Sequence, residues 1–389
     1  MNIILCLGII LVGAIIAEKV VNYFKIPAIT SYILLGILLG PHAINITGKG
    51  LLATSELLSH IVLGFIAFHI GKNFSVENFK SIGRVILSMS IGETIGAWIC
   101  VTAGIYYLTN QPFYIALLLG AIAPATAPTT TMMVIRQYRS KGKFTEILLG
   151  VVAIDDAWGI IIFSLSLSIA QVFQAGQFSE LAMLFVTLKA VGKIVISMIL
   201  GSLIAFLVSK ISVYLKRSET MLTFILGAIL INTGLAIYFD LSPLLSNMFF
   251  GAMLVNIDKT AFRYFDSLSN ADWPLYVMFY VIAGSNLEIG LLSTLGLVGS
   301  VYIVFRALGL FGGAYAGGIV AQTDKKITRY LGFALMPQAG VAIGLAMLAK
   351  VSFPDTGVLI FNMIIATTVV FEIFGPIATR YALLKAGDI

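Results

Sequence analysis

The sequence predicts an all-α polytopic membrane protein, and three observations predict it. Hydrophobic residues make up 59% of the 389-residue chain and charged residues only 11%. A soluble domain carries roughly 25% charged residues, so a water-soluble chain of this size would lack the polar side chains to cover its surface. Apolar stretches long enough to cross a bilayer, roughly 20 residues each, recur from one end to the other. The basic residues, finally, sort by side once the stretches are drawn. The same composition excludes intrinsic disorder and a secreted disulfide framework. Cys6 and Cys100 lie inside apolar runs and read as small buried hydrophobes.

In chain order the spans fall near 3–22, 29–46, 57–73, 82–108, 113–134, 145–173, 183–209, 220–239, 243–257, 273–288, 293–320, 327–349 and 357–383, about thirteen in all. The first lacks the basic leader and small-residue cleavage site of a signal peptide and is expected to be a retained helix. One set of loops carries about 19 bases: Lys19, Lys25, Lys72, Lys80, Arg84, Arg136, Arg139, Lys141, Lys143, Lys210, Lys216, Arg217, Lys259, Arg263, Lys325, Lys326, Arg329, Arg380 and Lys385. The other set carries Lys49, Lys189, Lys193 and Lys350. Bases accumulate on the cytoplasmic side, so the N-terminus is expected outside and the C-terminus inside. The net charge of +6 is thereby a membrane feature, and no nucleic-acid partner is expected. The chain stops just after its last span, so no soluble regulatory domain is expected.

Local patterns recur at an offset of 213 residues: Gly71-Lys72-Asn73 with Gly284-Ser285-Asn286, Pro124 with Pro337, and Gly96 with Gly309. Pro27 and Pro243 match with a small shift. Spans 1–6 and 8–13 then form two six-helix halves with span 7 between them. An odd number of spans separates equivalents, so the halves are inverted. Inverted repeats are the trace of alternating-access carriers.

Span five reads Gly120-Ala-Ile-Ala-Pro124-Ala-Thr126-Ala-Pro128, and span twelve Ala334-Leu-Met-Pro337-Gln338-Ala-Gly340. Proline removes a backbone donor and clashes with the preceding turn. Unwound backbone at membrane depth survives only where protein buries it or where it lines a wet cavity. Simple kinks are the alternative for each span alone. Their equivalent positions in the two halves point to broken helices around a binding site.

Five charges lie inside spans: Glu93, Asp155, Asp156, Arg306 and Glu372. Each costs at least about 2.5–3.5 kcal/mol at the centre of a span and is a functional candidate by default. Asp155 and Asp156 sit mid-span in Ala-Ile-Asp-Asp-Ala-Trp-Gly. Mutual repulsion and loss of water both oppose double ionisation. Either protons or a small hard cation can neutralise such oxygens, which is the chemistry of exchange. Glu93 and Arg306 are again 213 apart, and facing helices crossing at a pseudo-two-fold would let them form an ion pair. The alternative is Arg306 as counter-charge to the aspartates; arginine itself does not release a proton. Glu372 lines the same cavity or holds broken-helix backbone. Gly309, Gly313 and Gly317 read as close helix packing. His42, His60 and His69 read as satisfied or solvated. No nucleophile or metal cluster suggests an enzyme, and no cofactor is expected.

The aspartate-pair motif, the proline-rich span before it and the thirteen-span layout resemble sodium/proton antiporters of the NapA type, in the second branch of the monovalent cation/proton antiporter superfamily. The resemblance covers essentially the whole chain. It implies exchange of Na+, or of Li+ or K+, for H+ across the cell (inner) membrane, in the service of pH homeostasis, with membrane lipid as surroundings. It implies a homodimer in which 1–80 and 220–290 form the scaffold, 81–175 and 291–389 an ion-translocating core that slides like an elevator, and 183–217 the linker. It also implies crossed breaks at Pro124, Pro128, Pro337 and Gly340, Asp156 as the essential ligand, Asp155 as its neighbour and Thr126 as a supporting ligand. The sequence departs from the electrogenic members in one place: Arg306 stands where they carry a lysine. Related members with that arginine pair it with a glutamate, as Glu93 would allow. The nucleotide-binding tail of potassium-efflux relatives is not expected. Channel and symport activity on the same scaffold are the alternatives.

Overall fold

The computed structural model describes residues 3–23, 28–48, 51, 55–76, 83–174, 180–212, 217–258, 260–287 and 296–389, and its regular elements there are helical. Expectations that rest on Lys25, Pro27, Lys49, Lys80, Lys216 and Lys259 lie outside the described residues. In chain order the α-helices are α1 Ile3–Tyr23, α2 Ala28–Leu39, α3 Ser55–Gly71, α4 Arg84–Leu108, α5 Phe113–Ile122, α6 Pro128–Gln137, α7 Lys143–Gln174, α8 Glu180–Ser212, α9 Ser218–Tyr238, α10 Pro243–Ile257, α11 Phe262–Ser285, α12 Gly296–Val320, α13 Lys325–Ala334, α14 Gly340–Ser352 and α15 Gly357–Ala386. Among the described residues, eight helical stretches are long and apolar enough to cross a membrane, and shorter apolar helices lie between them.

The ends of these helices follow from local chemistry. Pro243 opens α10 at a position that needs no amide donor, and the Ser242 hydroxyl accepts from the Leu245 amide. Asp324 caps α13 by accepting from the Lys326 amide. Gly387, left-handed at φ 92°, ends α15.

Packing divides the chain into two units. Unit 1 comprises 1–56, 82–159 and 277–389; unit 2 comprises 57–81 and 160–276. The boundaries fall inside α3, α7 and α11. Packing therefore groups 1–56 and 277–287 with segments expected to form the core, and 160–174 with segments expected to form the scaffold; the expected scaffold and core are a division by motion. In unit 1 an apolar cluster around Phe144, Leu148, Val151, Ala314, Leu331 and Leu383 joins α4, α6, α7, α12, α13 and α15. In unit 2, Phe68 stacks on Phe265 and tilts against Phe250, both at 4.8 Å between ring centroids.

Glycines set the closest helix approaches. In unit 1, α4 meets α12 so tightly that a Cβ on Gly96 would lie 2.5 Å from the Gly309 carbonyl oxygen, and one on Gly313 2.2 Å from that of Gly92. The Gly309, Gly313, Gly317 face thus serves close packing, as expected. Gly36 meets Val281 and Gly284 in the same way within unit 1, and Gly71 meets Met248 and Gly251 within unit 2.

Candidate functional site

The site is built around two helix breaks in unit 1. After α5 ends at Ile122, the chain runs unwound to Pro128, which opens α6. After α13 ends at Ala334, it runs unwound to Gly340, which opens α14; Ala339 is at φ −152°, ψ −111°. The breaks touch: the Ala127 amide donates to the Pro337 carbonyl at 3.0 Å. Gly375 of α15 lets Pro337 approach, since a Cβ there would lie 2.8 Å from the proline. Each break leaves a carbonyl-rich helix end carrying partial negative charge and an amide-rich end carrying partial positive charge.

Arg306 serves the negative ends. It is fully buried on α12; its Nε donates to Ala123 O at 2.8 Å, Nη1 to Met336 O at 2.7 Å and Nη2 to Ala125 O at 3.1 Å. Its guanidinium lies 4.3 Å from the Phe371 ring centroid. The planar five-donor fork suits this task as an ammonium would not. Gln338 adds to the same junction, its Nε2 donating to Tyr302 Oη at 3.0 Å and Ile122 O at 3.4 Å. The expected ion pair between Glu93 and Arg306 is therefore not formed. Converging carbonyls from both breaks occupy the guanidinium, and Glu93 turns to other partners.

Those partners are polar groups of α4 and α7. Glu93 Oε1 accepts from Thr94 Oγ1 at 2.8 Å, and its carboxyl interacts with that of Asp155. Asp155 Oδ1 accepts from Ser90 Oγ at 2.8 Å. The remaining oxygens, Glu93 Oε2 and Asp155 Oδ2, are buried without a hydrogen-bond donor, as is Asp156 Oδ1. Glu93 and Asp155 are 0% exposed and Asp156 5%, so Asp156 holds what access the three carboxyls have. Gly159, one turn beyond Asp156 and on the same face, rests against Ala125. That packing turns the Asp156 face of α7 toward the first break. Thr126 in that break is buried with its Oγ1 unpartnered, and so are the hydroxyls of Thr131 and Thr368. Such orphaned groups in a native interior call for an ion or water.

Glu372 of α15 faces a positive end. Both of its oxygens accept from Thr130 Oγ1 at 3.0 Å, in the first turn of α6. The Tyr280 hydroxyl stands over Gly340 at the start of α14, where a Cβ would lie 2.4 Å from it, with Asp156 and Glu372 among its electrostatic neighbours. Of the expected site residues, the structure gathers Thr126, Pro124, Pro128, Pro337, Gly340, Arg306 and Glu372 around the breaks and places Asp155, Asp156 and Glu93 along the neighbouring α4 and α7. Sequence reasoning missed Ser90, Thr130, Tyr280 and Gln338. Ser90 had a legible trace, three residues before Glu93 on one helix face. Among the described residues no three His, Cys, Asp or Glu side chains converge as metal ligands. Any cation at this site would draw on hydroxyl and carbonyl oxygens besides carboxylate.

A family model described as "Sodium/hydrogen exchanger, transmembrane" matches residues 7–385. The chain is 26% identical to the ammonium/H+ antiporter subunit AmhT of Alkalihalophilus pseudofirmus over 405 aligned positions, covering 97% of this chain and 95% of that protein. It is 29% identical over 157 positions to the K+/H+ antiporter subunit KhtU of Bacillus subtilis, covering 38% of each. Among solved structures, the sodium proton antiporter MjNhaP1 of Methanocaldococcus jannaschii at pH 8 matches with TM-score 0.73 at 20% identity, over 99% of this chain and 96% of that one. That likeness is one of fold.

Proposed function

The chain belongs to the sodium/hydrogen exchanger transmembrane family, and from that premise we propose that it is a secondary antiporter exchanging Na+, or Li+ or K+, for H+ through Asp155 and Asp156. The observation that carries this reading is the set of buried, unpartnered carboxyl and hydroxyl oxygens on Asp155, Asp156 and Thr126 beside two touching helix breaks. Asp156, with the site's residual exposure, is the principal ligand; Asp155 is its neighbour, and Thr126 adds a neutral oxygen. Protons and cation compete for the same oxygens, and competition couples the two flows. Arg306 holds the breaks and stays charged throughout, so the carboxyls carry the changing charge.

The NapA-type branch, the thirteen-span inverted-repeat layout with outside N-terminus, the homodimer and the elevator motion of 81–175 and 291–389 against 1–80 and 220–290 belong to the same proposal. The repeat is supported by glycine contacts of one kind: Gly96 meets its 213-residue equivalent Gly309, and Gly36–Gly284 resembles Gly251–Gly71.

A second reading, K+ or ammonium as the cargo, is favoured by the names of the two curated relatives. The deciding experiment uses proteoliposomes with an internal pH dye and stepwise addition of Na+, Li+, K+ or ammonium, the ammonia leak being subtracted with empty vesicles. Cation-driven proton movement that survives Asp156→Asn would overturn the site assignment.

A further inference from the structure

Residues 386–389 are bound to the start of the helix that carries Asp155 and Asp156. Thr145, in the first turn of α7, donates twice to Asp388 Oδ2, from its amide at 2.8 Å and from its hydroxyl at 2.8 Å. Ser140 Oγ is 2.7 Å from the Thr145 hydroxyl and 3.4 Å from Asp388 O, which also accepts from the Lys141 amide at 3.2 Å. Gly142, the residue before α7, stands at φ 150° with the Asp388 carboxyl pressed against its Cα; a Cβ would come within 2.4 Å of it.

An N-cap normally comes from the residue just before the helix. Here that residue is Gly142, which has no side chain, and the capping carboxylate arrives from a segment more than 240 residues later. Its charge also lies where the helix dipole favours an anion. The position is fixed on the other side too. The Asp388 amide donates to Leu383 O at 3.1 Å, Gly387 turns the chain left-handed, and Lys326 Nζ of α13 donates to Ala386 O at 3.4 Å. Asp388 thus joins the end of α15, the Glu372 helix, to the start of α7, the Asp156 helix. Lys326 ties in α13, and Ser140 and Lys141 tie in the turn after α6. The half-helix α13 and the turn that follows the half-helix α6 are thus tied to α7 and α15 at one point.

We propose that Asp388 is a positioning residue for the ion site, a cap in trans that sets the axial register of α7 against α6, α13 and α15. Asp156 lies 13 residues into α7 from Lys143, about 20 Å at 1.5 Å per residue. A stiff helix transmits a shift of its first turn over that distance. The effect on transport rests on the antiport reading; the cap itself does not.

The test compares the full-length chain with Asp388→Ala, Asp388→Asn and Thr145→Val by amide hydrogen exchange and by proteoliposome transport. An amide oxygen caps as well as a carboxylate. Asp388→Ala is expected to speed exchange at 143–148 by about fivefold, in line with the roughly 1 kcal/mol a cap contributes, and to raise the KM for cation with little change in maximal rate. Asp388→Asn restores both. Thr145→Val, which deletes one of two bonds to the same oxygen, moves both less in the same direction. Unchanged exchange in Asp388→Ala overturns the cap. Faster exchange with an unaltered KM overturns the positioning role. If the unmodified chain moves no cation, the antiport reading is what fails, and the exchange arm still decides the cap.

Discussion

Among the described residues, unit 1 and unit 2 each bury a cluster of polar side chains, and the two clusters are finished differently. In unit 2, Asn232 Nδ2 donates to Asn247 Oδ1 at 3.0 Å, Ser246 Oγ donates to Asn232 Oδ1 at 2.8 Å, and Asn247 Nδ2 donates to Thr233 Oγ1 and Pro243 O, both at 2.9 Å. Every group is neutral, and each of these buried side-chain oxygens and nitrogens has a partner. In unit 1, Glu93, Asp155, Asp156, Thr126, Thr131 and Thr368 are as deeply buried, yet each keeps an oxygen without a donor. A closed neutral network is helix glue. An open acidic one costs free energy with no structural return, and the cost is consistent with oxygens reserved for something that comes and goes. Burial and polarity are alike in the two clusters; satisfaction separates them.

The sharpest way to break this contrast is one substitution in each cluster. Asp156→Asn is expected to reduce cation-driven proton movement in vesicles to the level of empty vesicles while leaving thermal stability in detergent unchanged or higher, because a buried ionisable group has gone. A variant that lost stability instead would make Asp156 structural. Next in size is Arg306→Lys. A single ammonium cannot reproduce a fork that spans two breaks, and each lost charge-assisted bond is worth about 1.5–3 kcal/mol. A marked fall in melting temperature is expected. Stoichiometry measured under a clamped membrane potential is expected to stay as it was, because Arg306 holds backbone rather than cargo. A changed ratio of charge to protons would return it to the role of counter-charge.

The open cluster was partly legible in the sequence. Apolar runs located the helices, because a bilayer-crossing segment has little choice of composition. The paired prolines located both breaks, because proline acts on its own backbone. The acids stood out because charge in such a run is costly. What failed was pairing. Glu93 and Arg306 sit 213 residues apart, and an offset can at most relate two backbones; it does not say where two long side chains point. The carbonyls of Ala123, Ala125 and Met336 reach the guanidinium first, and they became free only because two distant breaks unwind side by side. Thr130 with Glu372 and Asp388 with Thr145 were hidden for the same reason, being contacts across about 240 residues with no periodic trace. The closed cluster was invisible, since asparagine, serine and threonine in apolar runs carry no charge to mark them.

The third prediction tests the closed cluster. Asn247→Leu leaves the Asn232 amide and the Thr233 hydroxyl short of partners and is expected to destabilise the protein by about 1–2 kcal/mol without altering the KM for cation. A shifted KM would mean that the network of unit 2 takes part in transport, and the division between glue and ion site would have to be redrawn.

The smallest effect lies at the solvent edge of unit 2, where the closing logic repeats with a charge included. Asp258 accepts from the Tyr264 hydroxyl, and from the Thr260 amide at 2.8 Å and hydroxyl at 2.7 Å. Partial burial alone would push its carboxyl up; the bonds from Tyr264 and Thr260, with Arg263 nearby, outweigh that and hold it below the ordinary 3.8. A carboxyl lowered by folding contributes stability that is fully present above the ordinary value and is lost as pH falls toward the folded one. Asn in its place keeps the shape and an acceptor but removes the charge. The melting-temperature difference between the unmodified chain and Asp258→Asn is therefore expected to be constant from neutral pH to about pH 5 and to shrink below it. The underlying contribution of the charge is about a few tenths of a kcal/mol, because the carboxylate is partly exposed and screened. A difference that grew on acidification would mean that the charge is a burden to unit 2. Its polar contacts would then be closed in geometry but not in energy, as in the open cluster of unit 1.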